Sequence, residues 1–367
     1  VSNIIKAHPR WKVLLWERNS VEPAMLRVPI VVIFFIILWG ICLYVLEKSK
    51  VDYAFVLNTR TGPFAFIFSS ALIITALYAL SMTMFSTTFG LSIENGISIF
   101  YVLFTIAPWI PNIPFSDSIG TIGRLTRLCF LPGSTVSFSE VLLADAFTSL
   151  SKVLKDLGVT LVAVYCYANG KNIIDLHDQS MILIAVLASL PYWLRIMQCR
   201  VQLASCPDCI ARVPVFLNII KYFSAFPPIW LAAYASLGYT MHDLPTIIQA
   251  FAAVNSIYSF LWDIVMDWGL LTFTRDGRVL TRPRMMLPVL TYFIVTIINL
   301  ALRFSWAINR VPGMDQLHSS VIVLIIELAE VFRRSIWAIY RIEWEVIVQQ
   351  DKAIEKDPVL AEKMRIK

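Results

Sequence analysis

A set of polar and aromatic side chains lies inside runs of sequence that are otherwise apolar: Asp145 and Ser151, Lys221 and Tyr222, Asp263 and Asp267, Arg303 and Trp306, and Glu330, Arg333 and Arg334. A charged group at a bilayer centre costs roughly 2.5 to 3.5 kcal/mol on insertion scales, so charge placed there marks a functional hypothesis. The types present suit an oxyanion. Arginine offers a planar fork of donors that never loses its charge, and lysine adds a point charge. The carboxylates can hold the arginines in place and lower the net field, so that an anion enters well and still leaves.

The densest stretch runs from Glu327 to Arg341. At about 100° per residue, Glu327, Glu330, Arg334 and Arg341 fall within an arc of about 60°, with Arg333 about 60° beyond it. That is one polar stripe on a membrane-type helix. With a rise of about 1.5 Å per residue, Asp145, Lys221, Arg333 and Arg334 come out at a shared depth, about 12 Å in from one end of their spans. Asp263 comes out slightly nearer that end, with Asp267 one turn below on the same face. Arg303 falls near the opposite end. The expected arrangement is an inner cluster of mixed charge and a separate outer station, Arg303 with Trp306. Any single pair in this set reads equally well as an interhelical ion pair, or as an arginine snorkelling to the headgroups. The whole set, on five helices, reads as a path.

The elements that must position these groups follow from composition. The chain has 367 residues, 58% hydrophobic and 15% charged, outside the range of soluble domains. This is an all-α, polytopic membrane protein, and its basic excess, spread between apolar runs, does not point to nucleic acid. Residues 1 to 24 interleave Lys6, Arg10, Lys12 and Arg18 with Trp11, Leu14, Leu15 and Trp16 and read as an interfacial segment. Apolar runs at 25–46, 64–86 and 93–112 approach the roughly 20 residues a spanning helix needs. A shorter run at 117–131 carries Arg124 and Arg127 and ends at Pro132-Gly133.

Six further spans, at 138–168, 180–198, 213–238, 246–270, 286–308 and 320–342, hold the ionisable residues. The expected organisation is therefore four apolar membrane segments over 25–131, suited to lipid contact or a homodimer, a six-helix core over 132–345, and a tail over 346–367. Pro227-Pro228 should break the helix that contains it. Ten crossings with a cytosolic start place twenty Lys and Arg on the inner side and five on the outer, so the positive-inside rule favours both termini in the cytosol.

Enzymatic readings find little here. The four histidines, His8, His177, His242 and His318, all fall in loops or the terminal segment, and no phosphate-cradling glycine loop is present. Cys206-Pro-Asp-Cys209 is the one close cysteine pair, and a zinc site would want a second pair or nearby histidines. No metal or cofactor is expected.

Five motifs follow one another in a recognisable order: Phe138 to Ser151, Pro191 to Cys199, Tyr258 to Gly269, Leu302 to Trp306, and Glu330 to Arg334. Together with Phe55-Val-Leu-Asn-Thr-Arg60 they resemble the EXS-domain family over residues 25–345. That family includes the plant and animal inorganic-phosphate exporters of the xenotropic retrovirus receptor type. The resemblance implies phosphate passage along the last six helices, with Asp145, Ser151, Asp263, Asp267, Arg303, Trp306, Glu330, Arg333 and Arg334 on the path or its gate. Lys221 and Tyr222 match as well, although Ile219-Ile220 replace the usual small residues before the lysine. No SPX domain is seen. Either one precedes Val1, as in the plasma-membrane exporters, or the chain resembles the short Golgi members, which affect glycosylation and the retention of Golgi residents. Length favours the second. The rival expectation is a Golgi sorting receptor that transports nothing.

Overall fold

The computed structural model describes residues 18–57, 75, 136–169, 177–239, 242–273, 279–282, 284–310 and 319–356. The expected spans at 64–86, 93–112 and 117–131, and most of the segment at 1–24, lie outside them. The described chain is helical apart from one small hairpin. Four helical stretches in it are long and apolar enough to cross a membrane: Arg27–Lys48, Asp178–Ser205, Cys209–Ser236 and Leu244–Asp267. The membrane-spanning, all-α class read from composition is the class observed.

In chain order, α1 is Arg18–Lys48 and α2 is Tyr53–Leu57; α3 (Phe138–Ser149) and α4 (Ser151–Ala168) follow. Then come α5 (His177–Ser205), α6 (Cys209–Phe223), α7 (Phe226–Ser236) and α8 (Leu244–Trp262). Strands β1 (Leu271–Phe273) and β2 (Val279–Thr281) pair antiparallel, with Leu271 opposite Thr281. Helices α9 (Val289–Arg303) and α10 (Ser319–Lys356) complete the set.

Four of the six expected core spans are interrupted, and each interruption has a local cause. Ser137 caps α3 in a reciprocal box with Glu140. The helix then tightens at Leu150, whose N–H bonds to Phe147 three residues back, while the Thr148 hydroxyl donates to the Asp145 carbonyl. Hydroxyl groups that compete for backbone partners favour such a turn. The α6–α7 break at Ser224 and Ala225 precedes Phe226-Pro-Pro, where missing N–H groups end the helical ladder as expected. After α8 the chain widens into a π-turn over Asp263–Asp267, closed by the Trp268 N–H on the Asp263 carbonyl. Gly269 ends that turn at φ +57°, and a Cβ there would lie 2.4 Å from the Trp344 indole, so only glycine fits. Beyond α9, residues Ser305–Arg310 form a 3-10 turn.

Helix α10 packs most extensively against α1, and the two run parallel. Arg27 faces Glu327, the Cys42 thiol donates to the Ser335 carbonyl, and Leu43 and Leu46 cluster with Trp337, Tyr340 and Ile342. The start of α1 and the end of α10 therefore lie on opposite faces. The chain termini themselves, expected on one side, lie outside the described residues. Val51, Val56 and Leu57 pack in one cluster with Leu142, so the end of α1 and the start of α3 share a face.

Two boundaries also move. The first span is built into the bundle, with Val28, Val31, Leu38 and Leu46 buried against α4 and α10. At the other end, α10 continues to Lys356 with Val346 and Ile347 buried, so part of the expected tail is packed helix.

Candidate anion site

The interruptions in α3–α4, α6–α7, α8 and α9 converge on a cavity of about 510 Å³. Its basic lining is Lys152, Lys155, Lys221, Arg303, Arg333 and Arg334, set against Asp145, Asp263 and Glu330. Thr148, Ser149, Ser151, Tyr192, Tyr222, Asn255, Ser256, Ser259 and Trp306 add polar or aromatic groups.

Asp263 sits at the start of the π-turn and is 2% exposed. It accepts from Asn299 Nδ2 at 2.9 Å and from Arg303 Nε and Nη2 at 3.2 and 2.5 Å, and Arg333 Nη1 approaches to 3.7 Å. Arg333 also grips Glu330 with two bonds, 2.9 Å from Nε and 2.5 Å from Nη2, and donates to Asn299 Oδ1 at 3.2 Å. Glu330 takes a third bond, 2.7 Å, from the Ser149 hydroxyl. Arg303 and Arg333 are thereby neutralised and fixed.

Arg334 is different. It donates from Nε to Ser149 Oγ at 2.8 Å and from Nη2 to Thr148 Oγ1 at 3.1 Å, and its guanidinium lies 4.4 Å over the Trp337 ring. No carboxylate pairs with it among the described residues. Lys221 resembles it. Its ammonium rests 4.3 Å from the Tyr222 ring centroid and 4.9 Å from that of Trp262, with no ion pair to a described residue. Both side chains are buried, and both line the cavity. The wall thus offers two fixed, neutralised arginines beside two cations that have no carboxylate partner among the described residues.

Below the cavity a closed layer begins. Tyr222 donates to Asp145 Oδ1 at 2.6 Å, and Arg195 Nε lies 2.9 Å from the same oxygen. Arg195 also bonds Gln198, whose amide reaches the Glu140 carbonyl at 3.0 Å. On the α10 side, Trp337 Nε1 donates to Asp267 Oδ2 at 3.2 Å, Arg341 lies 3.7 Å from Asp267, and its guanidinium covers the Phe138 ring. The lining in turn climbs to Met181, Ser236 and Ile248, near the first residue of α5, the last of α7 and the first of α8. Among the described residues the lining therefore extends toward the face away from the hairpin, and the Asp145 and Asp267 groups separate it from the hairpin.

The structure brings ten of the eleven singled-out residues to this lining and leaves one outside. Asp267 lies beneath, turned toward Trp337 and Arg341 by the π-turn, so it does not continue the face of Asp263 into the cavity. The separate outer station is also corrected. Arg303 bonds Asp263 directly, and Trp306 Nε1 donates to Ser256 Oγ at 3.1 Å in the same cavity. Depth counting failed because it took each span as one straight, full-length helix, whereas α9 has only 15 residues and delivers Arg303 to mid-depth. The stripe on α10 also divides, since Glu327 turns to Arg27 while Arg341 belongs to the sealing layer.

Sequence reading missed Arg195, which it counted with a loop. Helix α5 runs on to Ser205 and leaves Arg195 2% exposed. Asn299, Lys152 and Lys155 were missed too, though each is a polar residue inside an apolar run and carried that signal. Cys206 and Cys209 are free thiols at the α5–α6 turn, and among the described residues no cluster of His, Cys, Asp or Glu could hold a metal.

Comparison with known proteins adds the lineage. The chain is 31% identical over 235 residues to the fission yeast protein ERD1 homolog 1, a match covering 60% of this chain and 61% of that one. It is 30% identical over 338 residues to the fission yeast SYG1 homolog, covering 87% and 47% respectively. With mouse solute carrier family 53 member 1 the identity is 27% over 266 residues, covering 67% and 38%. The matched region thus spans about half the length of these relatives. The model of the EXS family matches residues 23–347. With that match over most of its length, the chain belongs to the EXS family.

Proposed function

We propose that the chain carries inorganic phosphate across its membrane through this cavity. The observation that carries the reading is the pair of buried cations with no carboxylate partner among the described residues, Lys221 and Arg334, facing the same space as the anchored Arg303 and Arg333. A buried cation without a counterion is costly, and a bound oxyanion relieves that cost by accepting from the guanidinium fork and the ammonium. The hydroxyls of Ser149, Ser151 and Tyr222 already donate to Glu330, the Ala188 carbonyl and Asp145, so further donors to the anion come from the ammonium groups of Lys152 and Lys155 in the same lining. Enough carboxylate is present to stop the anion from binding irreversibly. The name solute carrier borne by the mouse relative agrees with transport.

The face that carries the hairpin also carries Lys48, Lys50, Arg200, Arg212, Arg284 and Lys352 outside the buried core. By the positive-inside rule that face is cytosolic and the cavity lining extends outward. Membership beside an ERD1 homolog supports a Golgi-type membrane, where this outward space is the lumen and transport recovers lumenal phosphate, in support of glycosylation and retention of resident proteins. Purified protein in liposomes should pass labelled phosphate. Arg334→Ala and Asp263→Ala should each lower the flux about tenfold or more, equivalent to about 1.4 kcal/mol. Normal flux in both variants sinks the assignment.

A further inference from the structure

Beside the cavity lies an ionic group that the anion site leaves unused. Arg27 of α1 donates to Asp156 of α4 from Nε at 2.8 Å, and its Nη2 lies 2.6 Å from the same oxygen. The guanidinium is committed there. Glu327 of α10, 2% exposed, lies 3.8 Å from Arg27 Nε and has no hydrogen bond to either carboxylate oxygen. It is the one buried carboxylate among the described residues in that condition. Asp145, Asp156, Asp263, Glu330 and Glu343 each accept at least one bond.

The charged groups facing Glu327 are Arg27 from α1, Lys152, Lys155 and Asp156 from α4, and Glu330 one turn along its own helix. Lys152 and Lys155 matter most. They line the cavity on one side and act on Glu327 from the other, and neither makes an ion pair with a described residue. They link the water of the cavity to a carboxylate that does not itself line it.

A carboxylate taken out of water costs far more ionised and unbonded than neutral. We propose that Glu327 is a proton-binding site that takes up a proton from the cavity when an anion occupies the arginine site. The inference rests on the phosphate reading. The proton passes from cavity water to a Glu327 carboxylate oxygen and returns when the anion leaves, with no other bond made or broken. The coupling is electrostatic. Arg333 and Arg334 lie six and seven residues beyond Glu327, about 9 to 10.5 Å along the helix at about 1.5 Å per residue, near enough in a low-dielectric bundle for an anion held by them to disfavour a second negative charge at Glu327. By linkage the effect is reciprocal, so protonating Glu327 tightens anion binding by the same factor.

The test measures binding of labelled inorganic phosphate to the purified full chain at about pH 7.5 and about pH 5.5, in wild type and Glu327→Gln. Phosphate speciation is common to both proteins, so the ratio of their affinities reads the side chain alone. Glutamine mimics the protonated state. The variant should match wild type at the lower pH and bind about fivefold or more tightly than wild type at the higher pH. A ratio that does not change with pH overturns the proposal. Acid–base difference infrared spectra give a readout independent of binding: a protonated-carboxyl band in wild type that is absent in Glu327→Gln and retained, shifted, in Glu327→Asp. Absence of that band from wild type overturns the proposal as well. If neither protein binds phosphate at any pH, the phosphate reading falls, and the infrared band still decides the proton site.

Discussion

Two buried ionic groups on α10 use the same residue types to opposite ends. Near the hairpin, Arg282 Nη2 lies 2.6 Å from Glu343 Oε2, with both side chains fully buried. Tyr292 donates to Glu343 Oε1 at 2.5 Å and accepts from Arg282 at 2.8 Å, and the Met286 N–H completes the Glu343 shell. Arg282 also donates to the Trp268 carbonyl, which ties the hairpin to the π-turn. One cation meets one anion, and both are fully buried. Around Arg333 and Arg334 the lining holds more cations than anions and encloses a cavity. The lesson is that buried charge becomes a candidate site when the pairing is incomplete. The dry pair is a fastener.

That contrast predicts different failures. The largest effect falls on the fastener: Arg282→Ala strands Glu343 as a buried, uncompensated charge and should cost about 3 to 5 kcal/mol of stability, read as a collapse of the melting temperature in detergent. An unchanged melt breaks the comparison. Next, Gly269→Ala forces a Cβ into the Trp344 indole at a left-handed backbone position and should cost about 1 to 3 kcal/mol, with loss of the monodisperse fraction on size-exclusion chromatography. Arg334→Ala removes a cation whose partners are neutral hydroxyls. Its stability should drop by only about 1 kcal/mol, while phosphate flux falls about tenfold. A large loss of stability here would move Arg334 to the fastener class. The smallest change is Ser256→Ala, which frees the Trp306 indole from its one hydrogen bond. It should leave the melt unchanged and alter flux about twofold, sharpening the assignment of Trp306 to the cavity wall.

Much of the site was legible because burying charge in an apolar run is expensive, so polar residues there stand out in a bare sequence. Asp145, Lys221, Asp263 and the Glu330–Arg334 stretch were found in that way and meet in one place. Their vertical arrangement was not legible. A depth count assumes straight helices of uniform length, and the tightened turn at Leu150, the π-turn at Asp263 and the short α9 all depart from that. Arg195 shows a second limit: it lies inside the 180–198 run, but so close to the end of that run that its charge reads as part of the next loop, whereas the helix continues to Ser205 and buries it. The orientation of α1 shows a third. Direction is read from contact: Arg27 meets Glu327 and Leu46 clusters with Ile342, so α1 and α10 run parallel, which no hydropathy run carries. The pairing at Pro227-Pro228 went the other way, because the chemistry of a missing N–H acts locally and needs no count.

One dimension of α10 has a mechanical meaning. Its 38 residues make a rod of about 57 Å at about 1.5 Å per residue, nearly twice the roughly 30 Å of a bilayer core. Arg333 and Arg334 sit toward its middle, and Lys356 ends it about 33 Å farther along. The rod is held well past the arginines, by Arg282 on Glu343, by buried Val346 and Ile347 and by Arg284 on Gln350, so a tilt of about 10° at the arginines would carry that packing with it and sweep the far end by about 6 Å. A spectroscopic label near Lys352 would then register the filling of a cavity it never touches.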